Sequence, residues 1–276
     1  MTEANGTDSI SPSEVGNGPD GLWPVYSGES FNLWDPDTGE YFGWADPAKC
    51  SAELQRRRES SFGNKNANFR GVSLEWIEDD ATLPALSPRI AFRLVTNRTN
   101  TRTFIVALVP GNRFLTNAAP YIFSLGGSAR TDAFVLGVMS SLVFDWYARC
   151  WTELNLNFFI FNSLTLPMPE TENDKLMARR LTDLAASLAA VDQRFAEWAD
   201  SAGVQIGSAT TSELQNPIIY EIDALAAHLY GLDRHDLEHI FDTFQRGWDE
   251  SKPDYIARRE GALFYFDAWA AKETVA

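Results

Sequence analysis

The longest apolar run in the sequence, residues 133–144, strongly limits what this chain can fold into. A helix of this length is too short to cross a bilayer, and Asp132 and Asp145 flank the run. Because apolar side chains would cover nearly every side of such a helix, the helix must be buried inside a folded domain. We expect it to begin at Thr131 or Asp132, which can cap a helix, and to end near Arg149.

The patterns on either side of this helix differ. Closely spaced aromatic residues between turn signals predict short strands in residues 22–44, with a hairpin and an aromatic core. Further strands are predicted at 90–95, 103–109 and 154–169, and a short helix at 52–60. Helical spacing then predicts helices at 174–199, 218–231, 233–244 and 255–271.

These patterns predict an α+β fold. A mixed-sheet domain with a buried helix is expected at residues 22–170, followed by an α-helical C-terminal domain at residues 171–276. Residues 1–21 are rich in Gly, Ser, Asp, Asn and Pro and are predicted to be a disordered tail.

The formal net charge of −15 is unfavourable for a protein that binds DNA on its own. Residues 1–50 contain one basic and nine acidic side chains, and residues 171–276 contain ten basic and nineteen acidic ones. Residues 51–170, with twelve basic and ten acidic side chains, are the only segment that phosphate would not repel. Either this middle segment contacts DNA with the help of a basic partner, or DNA is not the ligand.

Cysteine usage and the N-terminal sequence bear on the compartment. Cys50 and Cys150 are the only cysteines, so we expect free thiols in a reducing environment. The N-terminus lacks the basic and apolar regions of a signal peptide. These features favour a cytoplasmic protein with no membrane partner.

The loop predicted between the strands at 90–95 and 103–109 is the strongest candidate for a binding site. Residues 97–103 are Asn-Arg-Thr-Asn-Thr-Arg-Thr. Asn and Arg side chains can pair bidentately with base edges, while Thr and Arg side chains reach phosphate oxygens. The side chains predicted to recognise base edges are Asn97, Arg98, Asn100 and Arg102. Thr101 is predicted to contact phosphate.

A second polar loop, residues 62–70, follows the helix predicted at 52–60. Its Lys65, Asn66 and Arg70 side chains are predicted to contact DNA, and a solvated loop is the alternative. The three arginines at residues 56–58 are further candidates for phosphate contact. Asn155 and Asn157 are also candidates for contact with DNA.

The motifs provide no catalytic set. Residues 235–239, His-Asp-Leu-Glu-His, fit an inverted zinc-protease signature, but His235 and His239 lie off the apolar face of the predicted helix. Residues 117–121, Asn-Ala-Ala-Pro-Tyr, match the Asn-Pro-Pro-Tyr motif of DNA adenine methyltransferases only loosely. The sequence has no phosphate-binding loop and no Gly-x-Ser-x-Gly nucleophile. We therefore expect no catalytic residue and no bound metal in this chain.

Several segments, taken in order, carry a resemblance to a known family. They are residues 24–31, Pro88-Arg-Ile-Ala-Phe-Arg93, the loop 97–103, Val109-Pro110, residues 136–149, 154–161 and 164–169, and residues 222–232 and 239–244. In these segments the chain resembles the target-recognition part and C-terminal helical region of large N6-adenine DNA methyltransferases. The methyltransferases are those of the type IIG restriction–modification and BREX phage-defence kind. The resemblance covers residues 22–169 and 213–269.

The resemblance implies that the chain recognises a sequence in double-stranded DNA for a restriction–modification or phage-defence system. Members of the family carry a methyltransferase domain with an S-adenosylmethionine loop and an Asn-Pro-Pro-Tyr motif, and this sequence contains neither pattern. S-adenosylmethionine and the extrusion of the target adenine are therefore expected on a separately encoded methyltransferase chain. This chain would be the specificity subunit and would bind no cofactor itself.

Two alternatives of other classes stay open. The acidic charge favours a scaffold or interaction protein of a defence complex that does not bind DNA itself. The second alternative is an enzyme with an unrecognised, metal-dependent site at His235 and His239.

Overall fold

The computed structural model of the protein describes residues 21–124, 126–244 and 253–273. The tail predicted at residues 1–21 therefore lies almost entirely outside the described residues. None of the helices in the described ranges is long and apolar enough to cross a membrane.

Six short strands in the described residues form two three-stranded sheets. In one sheet, β1 (Trp23–Tyr26) pairs antiparallel with β2 (Gly43–Ala45) and parallel with β5 (Phe114–Leu115). In the other, β3 (Arg89–Phe92) pairs antiparallel with both β4 (Val106–Val109) and β6 (Tyr121–Ile122). The antiparallel pairing predicted in residues 22–44 and the two strands predicted around the loop 97–103 are thereby confirmed.

Ten helices accompany these sheets in the described part of the chain. They are α1 (Pro47–Ser60), α2 (Leu74–Glu78), α3 (Ala129–Ser140), α4 (Leu142–Arg149), α5 (Phe158–Phe161), α6 (Glu172–Ala189), α7 (Ala196–Ala202), α8 (Ser212–Leu229), α9 (Arg234–Thr243) and α10 (Pro253–Glu273). The mixture of small sheets and a helical C-terminal region confirms the predicted α+β class.

Both faces of β3 and β4 are buried, which explains their almost continuous apolar sequence. The side chains that face the helices are Ile90, Phe92, Val106 and Leu108. The side chains that pack on the opposite face, with Tyr26 and Phe31, are Ala91, Ala107 and Val109. This division follows the alternation of side chains along a strand.

One large core contains side chains from both predicted domains. The contact between α3 and α6 is especially close at Gly137. A Cβ atom placed on Gly137 would lie 2.5 Å from Leu181 Cδ2 and 2.9 Å from Ala185 Cβ. The absence of a side chain at Gly137 therefore allows α6 to pack directly on the buried helix.

We expect Gly137→Val to lower the free energy of unfolding by about 1–3 kcal/mol, because the added methyl groups would overlap α6. Gly43→Val is a matched control, since nothing lies within 4 Å of a Cβ atom placed on Gly43. That control should change stability by no more than about 0.5 kcal/mol. Urea unfolding followed by circular dichroism measures both variants, and equal losses of stability would contradict the close packing of α3 on α6.

The single helix predicted from about Thr131 to Arg149 is in fact two helices. Ser141 separates them in an extended conformation with ψ of 154° and caps α4. Its hydroxyl donates to the carbonyl of Val138 at 2.7 Å and accepts from the amide of Phe144 at 3.1 Å. These two hydrogen bonds compensate backbone groups that a continuous helix would have satisfied.

The strand predicted at 154–169 is also wrong. Hydrogen bonds to residues 94–96 extend only over residues 154–156, through Thr96 N to Leu154 O and Leu156 N to Leu94 O. The chain then turns into the single-turn helix α5. Asn157 ends the extended part, because its Oδ1 atom accepts from the amide of Ile160 at 3.0 Å and so caps α5.

The helix predicted at 174–199 ends early, at Ala189. Asp192 begins a 3-10 turn by accepting from the amide of Arg194, and α7 follows. Arg194 is held by Asp192 and, at 2.5 Å, by Asp37 of the strand region. The ion pair with Asp37 therefore connects the break between α6 and α7 to a segment far away in the sequence. The helices predicted at 218–231, 233–244 and 255–271 are confirmed as α8, α9 and α10.

The aromatic core predicted for residues 22–44 is only partly formed. Tyr26 and Phe31 are fully buried, and Trp34 is nearly so. The side chains of Phe42 and Trp44 are 75% and 39% exposed, so the prediction is wrong for these two residues. The short helix predicted at 52–60 is confirmed as the longer α1, which Asp46 caps.

Candidate nucleic-acid interface

The loop at residues 97–103 follows the buried strand β3 and returns the chain to β4. Hydrogen bonds within the loop stabilise its first turn. Asn97 Oδ1 accepts from the amide and the hydroxyl of Thr99, both at 2.9 Å. The amide of Asn100 donates to the carbonyl of Asn97 at 3.0 Å. The carboxamide oxygen of Asn97 therefore shapes the loop, which reduces its capacity to pair with a base.

Arg102 lies inside the protein, contrary to the prediction that it recognises a base. Its side chain is 9% exposed, and its Nε atom lies 2.5 Å from Oδ2 of the fully buried Asp145. Its Nη2 atom donates to the carbonyls of Ser140 and Ser141 at 2.7 and 3.1 Å. Burial lowers the pKa of Arg102, and the Asp145 carboxylate acts against that shift. Arg102 therefore anchors the loop and is not available to DNA.

The Asp145 carboxylate also binds the backbone at the end of the same loop. The amides of Thr103 and Phe104 donate to this carboxylate at 3.1 Å each. Since Asp145 belongs to α4, the buried helix itself fixes where the loop rejoins the sheet.

Arg149, at the end of α4, supports the loop from outside. Its Nη2 atom donates to the carbonyls of Asn100 and Thr101 at 2.8 and 3.2 Å. Its Nε atom donates to the hydroxyl of Thr103 at 3.0 Å. Partial burial lowers the pKa of Arg149. Arg149 was not predicted from the sequence, because an arginine in the last turn of a helix is also expected for the helix dipole alone.

Residues 98–101 form the exposed tip of the loop. We call them the tip. The Arg98 and Asn100 side chains form no hydrogen bond with another described residue. The tip therefore presents two solvent-exposed side chains that could pair with bases. Arg102, Arg149 and Asp145 hold the backbone of the loop in place.

The polar loop at residues 62–70 lies at the other end of β3. The ring of Phe69 lies 5.6 Å from that of Phe123, which directly follows β6. β6 pairs with the beginning of β3, through Ile90 and Ile122. The tip lies beyond the other end of β3, and the extended backbone from Arg89 to Thr96 spans about 23 Å at a rise of about 3.3 Å per residue. The structure therefore does not bring the DNA contacts predicted in residues 62–70 close to those predicted in residues 97–103.

Lys65, Asn66 and Arg70 are all exposed in turns at that far end. Of the three arginines at 56–58, Arg56 and Arg57 pair with Glu53 at 2.8 and 2.7 Å. Arg58 is only 3% exposed, so it cannot contact phosphate as predicted.

Asn155 and Asn157 lie close to the tip. Asn155 is opposite Val95 in an isolated β-bridge. Asn157 is exposed, but its carboxamide oxygen caps α5. Of these two, Asn155 retains the freer side chain.

An apolar patch, which was not predicted from the sequence, borders the tip. Its members are Val95 (67% exposed), Trp151 (62%), Leu154 (64%), Phe158 (58%) and Phe159 (86%). The backbone pairing of residues 94–96 with 154–156 brings Val95 and Leu154 close together, and the other three lie within five residues of Leu154 in the sequence. Exposed apolar side chains that cluster in this way mark a surface for another molecule.

His235 and His239 are both exposed on α9, as the sequence predicted. The ring of His239 contacts Trp146, with the ring centroids 6.4 Å apart. Within the described ranges, no group of three potential metal ligands occurs. Cys50 and Cys150 are free thiols, as expected.

Comparisons with models of protein families, with characterised proteins and with solved structures find no match to this chain. The geometry of the tip and the apolar patch therefore carries the functional interpretation, together with the resemblance in the sequence.

Proposed function

We propose that the protein is the DNA sequence-recognition subunit of an adenine-methyltransferase-based restriction–modification or phage-defence system. A separately encoded chain would bind S-adenosylmethionine and transfer the methyl group. The observation that carries the proposal is the tip, where Arg98 and Asn100 are exposed on a loop anchored by the buried pair of Arg102 and Asp145.

The chemistry of the tip suits a major groove. Arginine donates two hydrogen bonds to O6 and N7 of guanine, and asparagine pairs with N6 and N7 of adenine. Thr101 can position the loop against phosphate oxygens. Because Arg149 and Asp145 hold the backbone, little conformational freedom is lost on binding, which favours recognition by a preformed loop.

The charge distribution supports the need for a partner. Residues 171–276, with nineteen acidic against ten basic side chains, would be repelled by phosphate. A catalytic chain that contributes basic groups would compensate for this repulsion. The methyltransferase and its place in defence are inferred from the resemblance in the sequence.

A second candidate function is an interaction protein that does not contact DNA. The apolar patch supports it, because five exposed apolar side chains beside the tip suit a protein surface better than a phosphate backbone. In that case the tip would be the polar rim of a protein–protein interface.

Selection from a random duplex library tests the proposed function. The assembly recovered with the tagged full-length chain should enrich one sequence, and Arg98→Ala should relax the preference at one base pair of it. We expect a loss of discrimination of about 1–3 kcal/mol at that pair. Asn100→Ala should relax a different pair, at an A·T step.

Arg179→Ala is the matched control. Arg179 is an exposed arginine on α6 for which no ion pair with a described residue is found, so its loss removes the same charge away from the tip. Enrichment by the control should equal that of the unchanged protein. No enriched sequence with the intact assembly, or equal enrichment by Arg98→Ala, would favour the interaction protein.

A further inference from the structure

A cavity of about 420 Å³ lies between α1 and the sheet of β1, β2 and β5. This volume falls within the range of about 300–1,000 Å³ that small-molecule sites occupy. Its apolar walls include Val25, Leu54, Phe69, Leu83, Phe114 and Leu115. The cavity lies at the beginning of β3 and so at the opposite end of that strand from the tip.

Two buried arginines also line the cavity. Arg58 is 3% exposed and Arg89 is 7% exposed. The Nε atom of each is buried and finds no hydrogen-bond partner among the described residues. Tyr121, another lining residue, lies under Arg89, with the guanidinium carbon 5.4 Å from the ring centroid. Two donors without acceptors therefore occur in the walls of one cavity.

Arg89 has no carboxylate as a counter-ion within the described part of the chain. Its Nη2 atom donates to the carbonyl of Arg113 at 2.7 Å, and its Nη1 atom donates to that of Ser87 at 3.3 Å. Burial lowers the pKa of Arg89 to about 10, so the guanidinium stays charged at neutral pH. A buried charge without an opposite charge is strongly unfavourable, which indicates that the counter-ion comes from outside the chain.

The other charges around the cavity do not supply this counter-ion. Glu53, the one acidic residue in the described lining, is bound by Arg56 and Arg57. Arg58 is held by neutral acceptors, which are Gln55 Oε1, Thr82 Oγ1 and the carbonyl of Asp79. Lys49, which also lines the cavity, pairs with Asp46 at 3.6 Å. The cavity therefore combines an apolar interior with a positive excess.

We propose that this cavity binds a small amphipathic carboxylate. The carboxylate would accept from the guanidinium groups of Arg58 and Arg89, while the apolar body of the ligand lies against Phe114 and Leu83. Such a site is separate from the proposed DNA interface, and its test does not depend on whether the protein recognises DNA.

Isothermal titration calorimetry of the full-length protein with octanoate tests this inference, with octanol as the neutral probe of matched length. Octanoate should bind and octanol should bind about 10- to 100-fold more weakly, because octanol lacks the charged acceptor. Arg89→Met should weaken octanoate binding by a similar factor, and Arg179→Met should leave it unchanged. Equal binding of octanol and octanoate, or no binding of octanoate at roughly millimolar concentration, would overturn the proposal.

A second variant guards against a folding defect in Arg89→Met. Leu54→Trp places a large side chain in the cavity from α1, where Leu54 is 39% exposed, and leaves both arginines in place. It should abolish octanoate binding while circular dichroism stays that of the unchanged protein. Octanoate binding at full affinity to this variant would contradict a site in the cavity.

Discussion

Asp145→Ala is expected to destabilise the protein by about 3–5 kcal/mol, since it leaves Arg102 as a buried charge without a partner. The carboxylate is fully buried and accepts from Arg102 and from the amides of Thr103 and Phe104. Its removal therefore leaves a guanidinium and two backbone donors without their acceptor. Urea unfolding at neutral pH measures the loss.

An exposed ion pair provides the matched control for Asp145. Asp183 pairs with Arg130 at 2.8 Å, and the two side chains are 52% and 42% exposed. Asp183→Ala should cost no more than about 1 kcal/mol, because water replaces the lost partner. A loss for Asp145→Ala as small as that of the control would show that the loop is not anchored as described.

Asp223→Ala is the second change with a large expected effect, again about 3–5 kcal/mol. Asp223 is fully buried on α8 and receives two hydrogen bonds from Arg258 of α10, at 2.7 and 3.0 Å. Its Oδ1 atom also accepts from the amide of Leu142, at the start of α4, at 2.7 Å. One carboxylate thus connects three helices.

The control for Asp223 is Asp267→Ala. Asp267 pairs with Arg234 at 3.0 Å, and the two side chains are 55% and 48% exposed, so the expected cost is below about 1 kcal/mol. In the double variant Asp223→Ala/Arg258→Met, the buried charge is gone, and part of the lost stability should return. A double variant less stable than Asp223→Ala alone would argue against the loss of the ion pair between Asp223 and Arg258 as the cause.

The strands around the tip could be predicted because their residues carry local signals. Residues 90–92 and 106–109 are apolar, and both faces of the resulting strands are buried. The exposed position of Arg98 and Asn100 also follows from the polar sequence between the strands. Both features depend on neighbours in sequence.

The burial of Arg102 could not be predicted in the same way. Its partner Asp145 lies on α4, and nothing local to the loop distinguishes Arg102 from Arg98. Both arginines occur in the same run of Asn and Thr, although one anchors the loop and the other is exposed. Contacts between distant segments determine which of the two arginines is buried, and a single sequence does not record such contacts.

The break at Ser141 and the apolar patch show the same limit. Ser141 lies within an apolar run that favours one helix, but the buried Asp223 carboxylate accepts from the amide of Leu142 and so stabilises a second helix start. Phe158 and Phe159 were expected in a strand, and α5 instead leaves both exposed. Tertiary contacts overrode the local preference in each case.

The most direct test of DNA recognition by the tip measures the coupling between Arg98 and one base pair. Two duplexes are compared: the selected sequence, and the same sequence altered at the base pair for which Arg98→Ala relaxes the preference. The affinity for each duplex is measured with the assembly that contains the unchanged protein and with the assembly that contains Arg98→Ala. We expect the altered pair to cost the unchanged protein about 1–3 kcal/mol and the variant almost nothing. An equal cost for both proteins would contradict recognition of DNA by the tip.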